Sequence, residues 1–159
     1  MAQQTMAGRM SLEGAAARGG AAPEFAVRVV GALLALAISA VHVADQGSVT
    51  ALVSPHWMGW GYRLIEVGGV LTALAMLLPR PAWLGPAGLR WAAAVLLGAG
   101  PFLGYVASRT VGLPGDPGDV GNWGYWVGTV ALAIEAALVV LSASMLLGLR
   151  QRSAPVPGA

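Results

Sequence analysis

The chain has 159 residues, of which 57% are hydrophobic and only 10% charged, with a net charge of +2 and a mean hydropathy of +0.69. This composition lies outside the range of soluble domains and belongs in lipid. The pI of 9.7 reflects scattered arginines, with no basic run and no interleaved aromatic platform, so nucleic acid is excluded as a partner. The absence of cysteine excludes disulfides, thiolate catalysis and iron–sulfur clusters.

Residues 1–24, "MAQQTMAGRMSLEGAAARGGAAPE", are small, polar and aperiodic, and are expected to form a disordered cytoplasmic tail. Four apolar segments follow, at about 26–45, 58–78, 89–108 and 123–149. Each is near or above the roughly 20 residues that span a bilayer. The first ends in "HVAD" after a long apolar run and reads as a retained helix rather than a cleaved signal. With short connections between them, the segments predict an all-α, membrane-embedded, up-down four-helix bundle over 25–150, followed by a cytoplasmic C-terminal tail at 151–159.

Orientation follows from the arginines. Arg9, Arg18 and Arg28 precede the first segment, Arg80 and Arg90 flank the second loop, and Arg150 and Arg152 follow the fourth. The positive-inside rule places both termini in the cytoplasm of a multi-pass plasma-membrane protein. The outer loops then carry Asp45, His56, Asp116 and Asp119, with Trp57, Trp60, Trp123 and Trp126 at the interface. Small-xxx-small pairs at Gly100/Gly104 and Gly124/Gly128, and a stripe of Gly31, Ala35 and Ser39, suit close helix packing. Pro101 removes one backbone bond from the third helix.

Charges inside lipid-length sequence are candidate sites, because one near the bilayer centre costs roughly 2.5–3.5 kcal/mol even on the lenient insertion scale. Arg63 and Glu66 lie three residues apart on one helical face, at depths of about 9 and 13 Å. They read equally as an ion pair that orders the bundle or as part of a working site. Glu135, in "TVALAIEAALVV", lies roughly 18 Å deep. Its partner comes from another helix, or it is neutral and bonded to a backbone carbonyl, Thr72 or Ser142. Ser39, His42 and Asp45 recur every third residue on the first helix. If that side meets the second helix, the bundle encloses an outward-opening pocket of His42, Asp45, Arg63 and Glu66, capped by Arg109 and His56, with Glu135 as its floor. The simpler reading of His42 is an interfacial histidine bonded to Asp45.

A metal held by His42, Asp45, His56 and Glu66 is chemically allowed, although the compact HExxH spacing is absent. No cofactor is assigned, since two histidines of which one lies outside the helices suit haem poorly. In "SRTVGLPGDPGDVGNW" the Pro and Gly residues favour turns, Asp116 and Asp119 suit turn capping, and Asn122 suits the N-cap of the fourth helix.

The stretches "VHVAD", "MGWGY", "SRTVGLPG" and "DVGNW" resemble a family of small, uncharacterised actinobacterial four-helix integral membrane proteins, over roughly residues 26–149. The resemblance implies the four-helix topology and that the "HVAD" and "SRT" ends belong together. It implies no catalytic assignment. Where the family pattern has an acidic residue and a proline after "GNW", this chain has "GYWVG". With no nucleophile–base set or phosphate loop, the expected function is that of a non-enzymatic accessory subunit. It would dock a ligand, a membrane protein partner or a second copy through an outward-facing polar pocket. The alternative is a proton-coupled, solute or metal site that uses Glu66 and Glu135.

Overall fold

The computed structural model describes residues 2–79 and 86–152, with side chains described within these ranges from Glu24 to Gln151. Among the described residues it is all-helical: α1 (Ala2–Gln46), α2 (His56–Leu77), α3 (Leu89–Thr110) and α4 (Trp126–Arg152), with a 3₁₀ turn at Pro117–Asp119. Arg80 and the rest of 80–85, together with 153–159 of the expected C-terminal tail, lie outside the described residues.

Two boundaries differ from expectation. The segment expected as a disordered tail is helical from Ala2, and α1 runs through it as one 45-residue helix. Seven of its 24 residues are Ala, the strongest helix former, and a helix already nucleated by its apolar part extends one bond per residue, across the segment's four Gly and Pro23. At the other end of the chain, α4 starts at Trp126 rather than 123, because Asn122 N–H donates to the Asp119 carbonyl at 3.1 Å in a turn that also uses Gly121 at φ +79°. Asn122 therefore does not cap α4.

Three helical stretches are long and apolar enough to cross a membrane: Glu24–Gln46, Leu89–Thr110 and Trp126–Gln151. α2 has the length, about 33 Å for its 22 residues, but its glycines, its tryptophans and the Arg63–Glu66 pair lower its hydropathy. Against the four apolar spans expected, three helices among the described residues meet both the length and the apolarity of a membrane span. The exterior is apolar, with Leu33, Leu64, Leu96 and Leu103 all more than 60% exposed, whereas Ser39, His42, Glu66, Arg109 and Glu135 are buried. This is the inverse of a water-soluble surface and the arrangement that lipid demands.

Helix order around the bundle is α1–α2–α3–α4, closed by α4 against α1. The α2–α3 seam is packed more loosely than the α1–α2 and α3–α4 pairs. Buried positions trace one stripe on each helix, at Ala32, Ala35, Ile38, Ser39 and His42 on α1 and at Ala131, Glu135, Leu138 and Ser142 on α4. Near the N-terminal end of α1's apolar part, Arg28 donates to the Met76 carbonyl at 2.5 Å and the Leu78 carbonyl at 3.1 Å. A cation thereby satisfies carbonyls left unpaired where α2 ends.

The close helix contacts are not where the GxxxG spacings suggest. Gly69 of α2 lies against α1: a Cβ there would collide with Ser39 and come within 2.6 Å of the Ala35 carbonyl oxygen. Gly98 of α3 lies against α4, 2.8 Å from the Glu135 carbonyl oxygen by the same measure. Around Gly100 and Gly104 there is open space, and Gly124 precedes α4; of the expected pairs, only Gly128 is tightly packed, against the ring of Tyr105. The Gly31, Ala35 and Ser39 stripe does form the α1 side of a contact, since all three are buried.

Gly69→Ala is therefore expected to destabilise the detergent-solubilised protein by about 1–3 kcal/mol through overpacking. Gly100→Ala, facing open space, is expected to leave stability unchanged or slightly raised through better helix propensity. Unfolding curves of the two variants beside wild type test the assignment.

Candidate functional site

At the end of the bundle where α1 finishes, Asp45 accepts hydrogen bonds from the Tyr62 hydroxyl at 2.5 Å and from the Tyr125 hydroxyl. One carboxylate thus joins α1, α2 and the residue preceding α4. Asp45 is not available to His42 in the way the sequence suggested. The His42 Nδ1 instead lies 2.9 Å from the Ile38 carbonyl oxygen, and its ring stacks obliquely on Tyr62 at 5.5 Å.

The partner of Glu135 comes from α1: His42 Nε2 lies 3.6 Å from Glu135 Oε1. A carbonyl oxygen can only accept, so Nδ1 carries a hydrogen. In the neutral imidazole Nε2 would then be a lone pair facing a carboxyl oxygen. The contact is attractive when one proton lies between the two groups, on Nε2 or on Oε1. Glu135 is 1% exposed, and its second oxygen, Oε2, has no hydrogen-bond partner. Neither Thr72 nor Ser142 supplies one; the Ser142 hydroxyl is itself buried without a partner.

Arg63 and Glu66 form a separate unit. Arg63 Nη1 reaches Glu66 Oε2 at 2.5 Å, Gln46 donates its amide to Glu66 Oε1, and Arg63 also donates to the Ala51 carbonyl. Ser39 donates to the Glu66 main-chain carbonyl at 2.8 Å. Both carboxylate oxygens are occupied, so the ion pair fastens α2 and the α1–α2 loop to α1.

Between the helices lies a cavity of about 1000 Å³, lined by His42, Asp45, Arg109 and Glu135 among the residues singled out from sequence. Arg63, Glu66 and His56 do not line it. His56 is exposed on the first turn of α2, and among the described residues no three His, Asp or Glu side chains gather closely enough to hold a metal ion. The cavity thus differs from the expected pocket: Arg63, Glu66 and His56 are missing from its wall, and Tyr62, Tyr105 and Tyr125 line it instead. The tyrosines escaped the sequence reading because aromatic residues near helix ends read as interfacial. The available signal was an aspartate at the end of a lipid-length helix, which needs donors from its neighbours.

Arg109, at the end of α3, is paired with Asp119 and lies over the rings of Tyr105 at 4.5 Å and Tyr125 at 5.9 Å. The loop after α3 is ordered around this pair. Gly121 N–H donates to the Arg109 carbonyl at 2.9 Å, Gly112, Gly115 and Gly121 take positive φ, and the Trp57 indole donates to the Pro114 carbonyl at 3.2 Å. The start of α2 is thus tied to the α3–α4 loop, whose Leu113, Asp116, Asp119 and Asn122 border the cavity.

No family model, curated protein or solved structure matches the chain.

The hydrogen bond to Asp45, then partial burial and the Asp45 charge, push the Tyr125 phenol from 10 up to about 12. The fold favours the neutral phenol, so this contribution is whole below pH 10 and is lost as pH rises through about 12. In thermal unfolding across that window, wild type is expected to lose stability more steeply than Tyr125→Phe, which starts lower. Parallel curves would show that Asp45 does not hold Tyr125.

Proposed function

We propose that this chain is a four-pass plasma-membrane protein, with both termini in the cytoplasm, that docks a small ligand in the interhelical cavity and is not an enzyme. The observation that carries this reading is the cavity itself. It is apolar along most of its wall, carries a cluster of polar groups at one end, and has a volume at the upper end of the roughly 300–1000 Å³ typical of ligand sites. α2 counts as the fourth crossing because its buried Glu66 is paired with the half-buried Arg63, while Leu64, Val67, Leu71 and Leu74 are exposed.

A second reading, a proton-coupled site, is favoured by one observation: the His42–Glu135 contact needs a proton. Glu66, held by Arg63 and Gln46, serves structure in either reading.

The chain lacks cysteine, so single cysteines report topology directly. A cysteine at Gly118 is expected to react with an impermeant maleimide from outside intact cells, and one at Gln151 only after lysis; the reverse pattern would invert the orientation. Gly100 faces open space, so Gly100→Leu is expected to fold normally yet lose small molecules that copurify with wild type, as read by mass spectrometry of organic extracts. Equal recovery from both proteins would sink the ligand reading.

For the proton reading, the infrared difference spectrum across pH is expected to contain a carboxyl change that Glu135→Gln and His42→Gln each abolish and Glu66→Gln leaves in place. A spectrum unchanged by Glu135→Gln would reject it.

A further inference from the structure

The geometry points to a hydrophobic ammonium ion as the ligand, with its N–H groups on Glu135 Oε2 and its apolar body in the α2–α3 seam. This assignment rests on the ligand-docking reading above and specifies its chemistry. Glu135 Oε2 is the deciding atom. It is fully buried and unpartnered, and Glu135 borders the cavity. Wherever the proton shared with His42 lies, on Nε2 or on Oε1, Oε2 remains an acceptor. A ligand that donates a hydrogen bond would satisfy it, and a buried acceptor left unmet is costly. A carboxylate, ether or ketone head group would bring acceptor against acceptor.

Charge selects among the donors. The cavity wall carries four carboxyl groups, on Asp45, Asp116, Asp119 and Glu135, against one guanidinium and one imidazole. The charge of the guanidinium, Arg109, is already balanced by Asp119 through Nη1, although its buried Nε has no partner of its own. The excess of acid favours a cation, and the tyrosine faces at the same end suit one, as they already flank Arg109.

The body of the ligand follows from the seam. Gly68 and Leu97 bring α2 and α3 within contact at one point, but Gly61, Gly100 and Gly104 face open space. Leu64, Leu71 and Leu96, on the cavity lining, are 60–75% exposed. The opening is therefore apolar and faces the bilayer, so a membrane-dissolved amphiphile enters sideways without crossing water.

The test uses full-length protein in nanodiscs and three probes with one tail: decylammonium, decanol and decanoate. Binding to empty nanodiscs is subtracted. Saturable binding of decylammonium at one per chain is expected, at least tenfold tighter than decanol, with no saturable decanoate. Glu135→Gln is expected to weaken decylammonium at least tenfold. Decanol or decanoate binding as tightly as decylammonium would overturn the cation assignment while leaving the ligand-docking reading intact. Undiminished decylammonium binding by Glu135→Gln would overturn Glu135 as the anchor. No saturable binding of any probe would overturn the inference, and copurifying small molecules lost in Gly100→Leu would then show that the docking reading survives it. The head-group comparison is made on wild type and does not depend on the folding of a variant.

Discussion

Asp45 is the joint on which this bundle depends. One carboxylate at the end of α1 receives hydroxyls from Tyr62 on α2 and Tyr125 just before α4, so three elements converge on a charge that would otherwise sit at the edge of hydrocarbon unsatisfied. Hydrogen bonds to a charged acceptor are stronger than neutral ones. Drawing Tyr62 and Tyr125 toward α1 places their rings on the cavity wall. α3 takes no part in this joint; it is held to α4, and Arg109 at its end is held by Asp119. The loosely packed side of the bundle is therefore the α2–α3 seam, and the cavity opens there.

The same logic separates structural charge from available charge. Arg63 and Glu66 satisfy each other, with Gln46 and the Ala51 carbonyl completing the set. Their burial is compensated and they lie off the cavity. Glu135 is compensated on one oxygen only. In a low-dielectric interior an unsatisfied acceptor is expensive, and such a group marks where the interior is incomplete without something else.

Close packing and open space are likewise distributed by which glycines meet a neighbour. Gly69 and Gly98 allow backbones to approach in the α1–α2 and α3–α4 pairs, while Gly100 and Gly104, spaced as a packing motif, border the cavity instead. The spacing is the same in kind; the difference is whether that face of α3 meets α4 or the seam.

From sequence alone, lipid-length apolar segments determined an all-helical bundle, because hydrocarbon leaves a chain no other way to satisfy its backbone within one segment. The three-residue spacing likewise determined that Arg63 and Glu66 share a face, and the depth of Glu135 that its partner had to come from elsewhere. These are local or solvation constraints and need no neighbours. Tertiary structure decided that the partner is His42, that Asp45 serves two tyrosines, that Arg63 and Glu66 face α1 and not the cavity, and that His56 stands apart. Each of these depends on helix rotation and on which pairs pack tightly, and the side-chain pattern of one helix carries no record of the azimuth of the next.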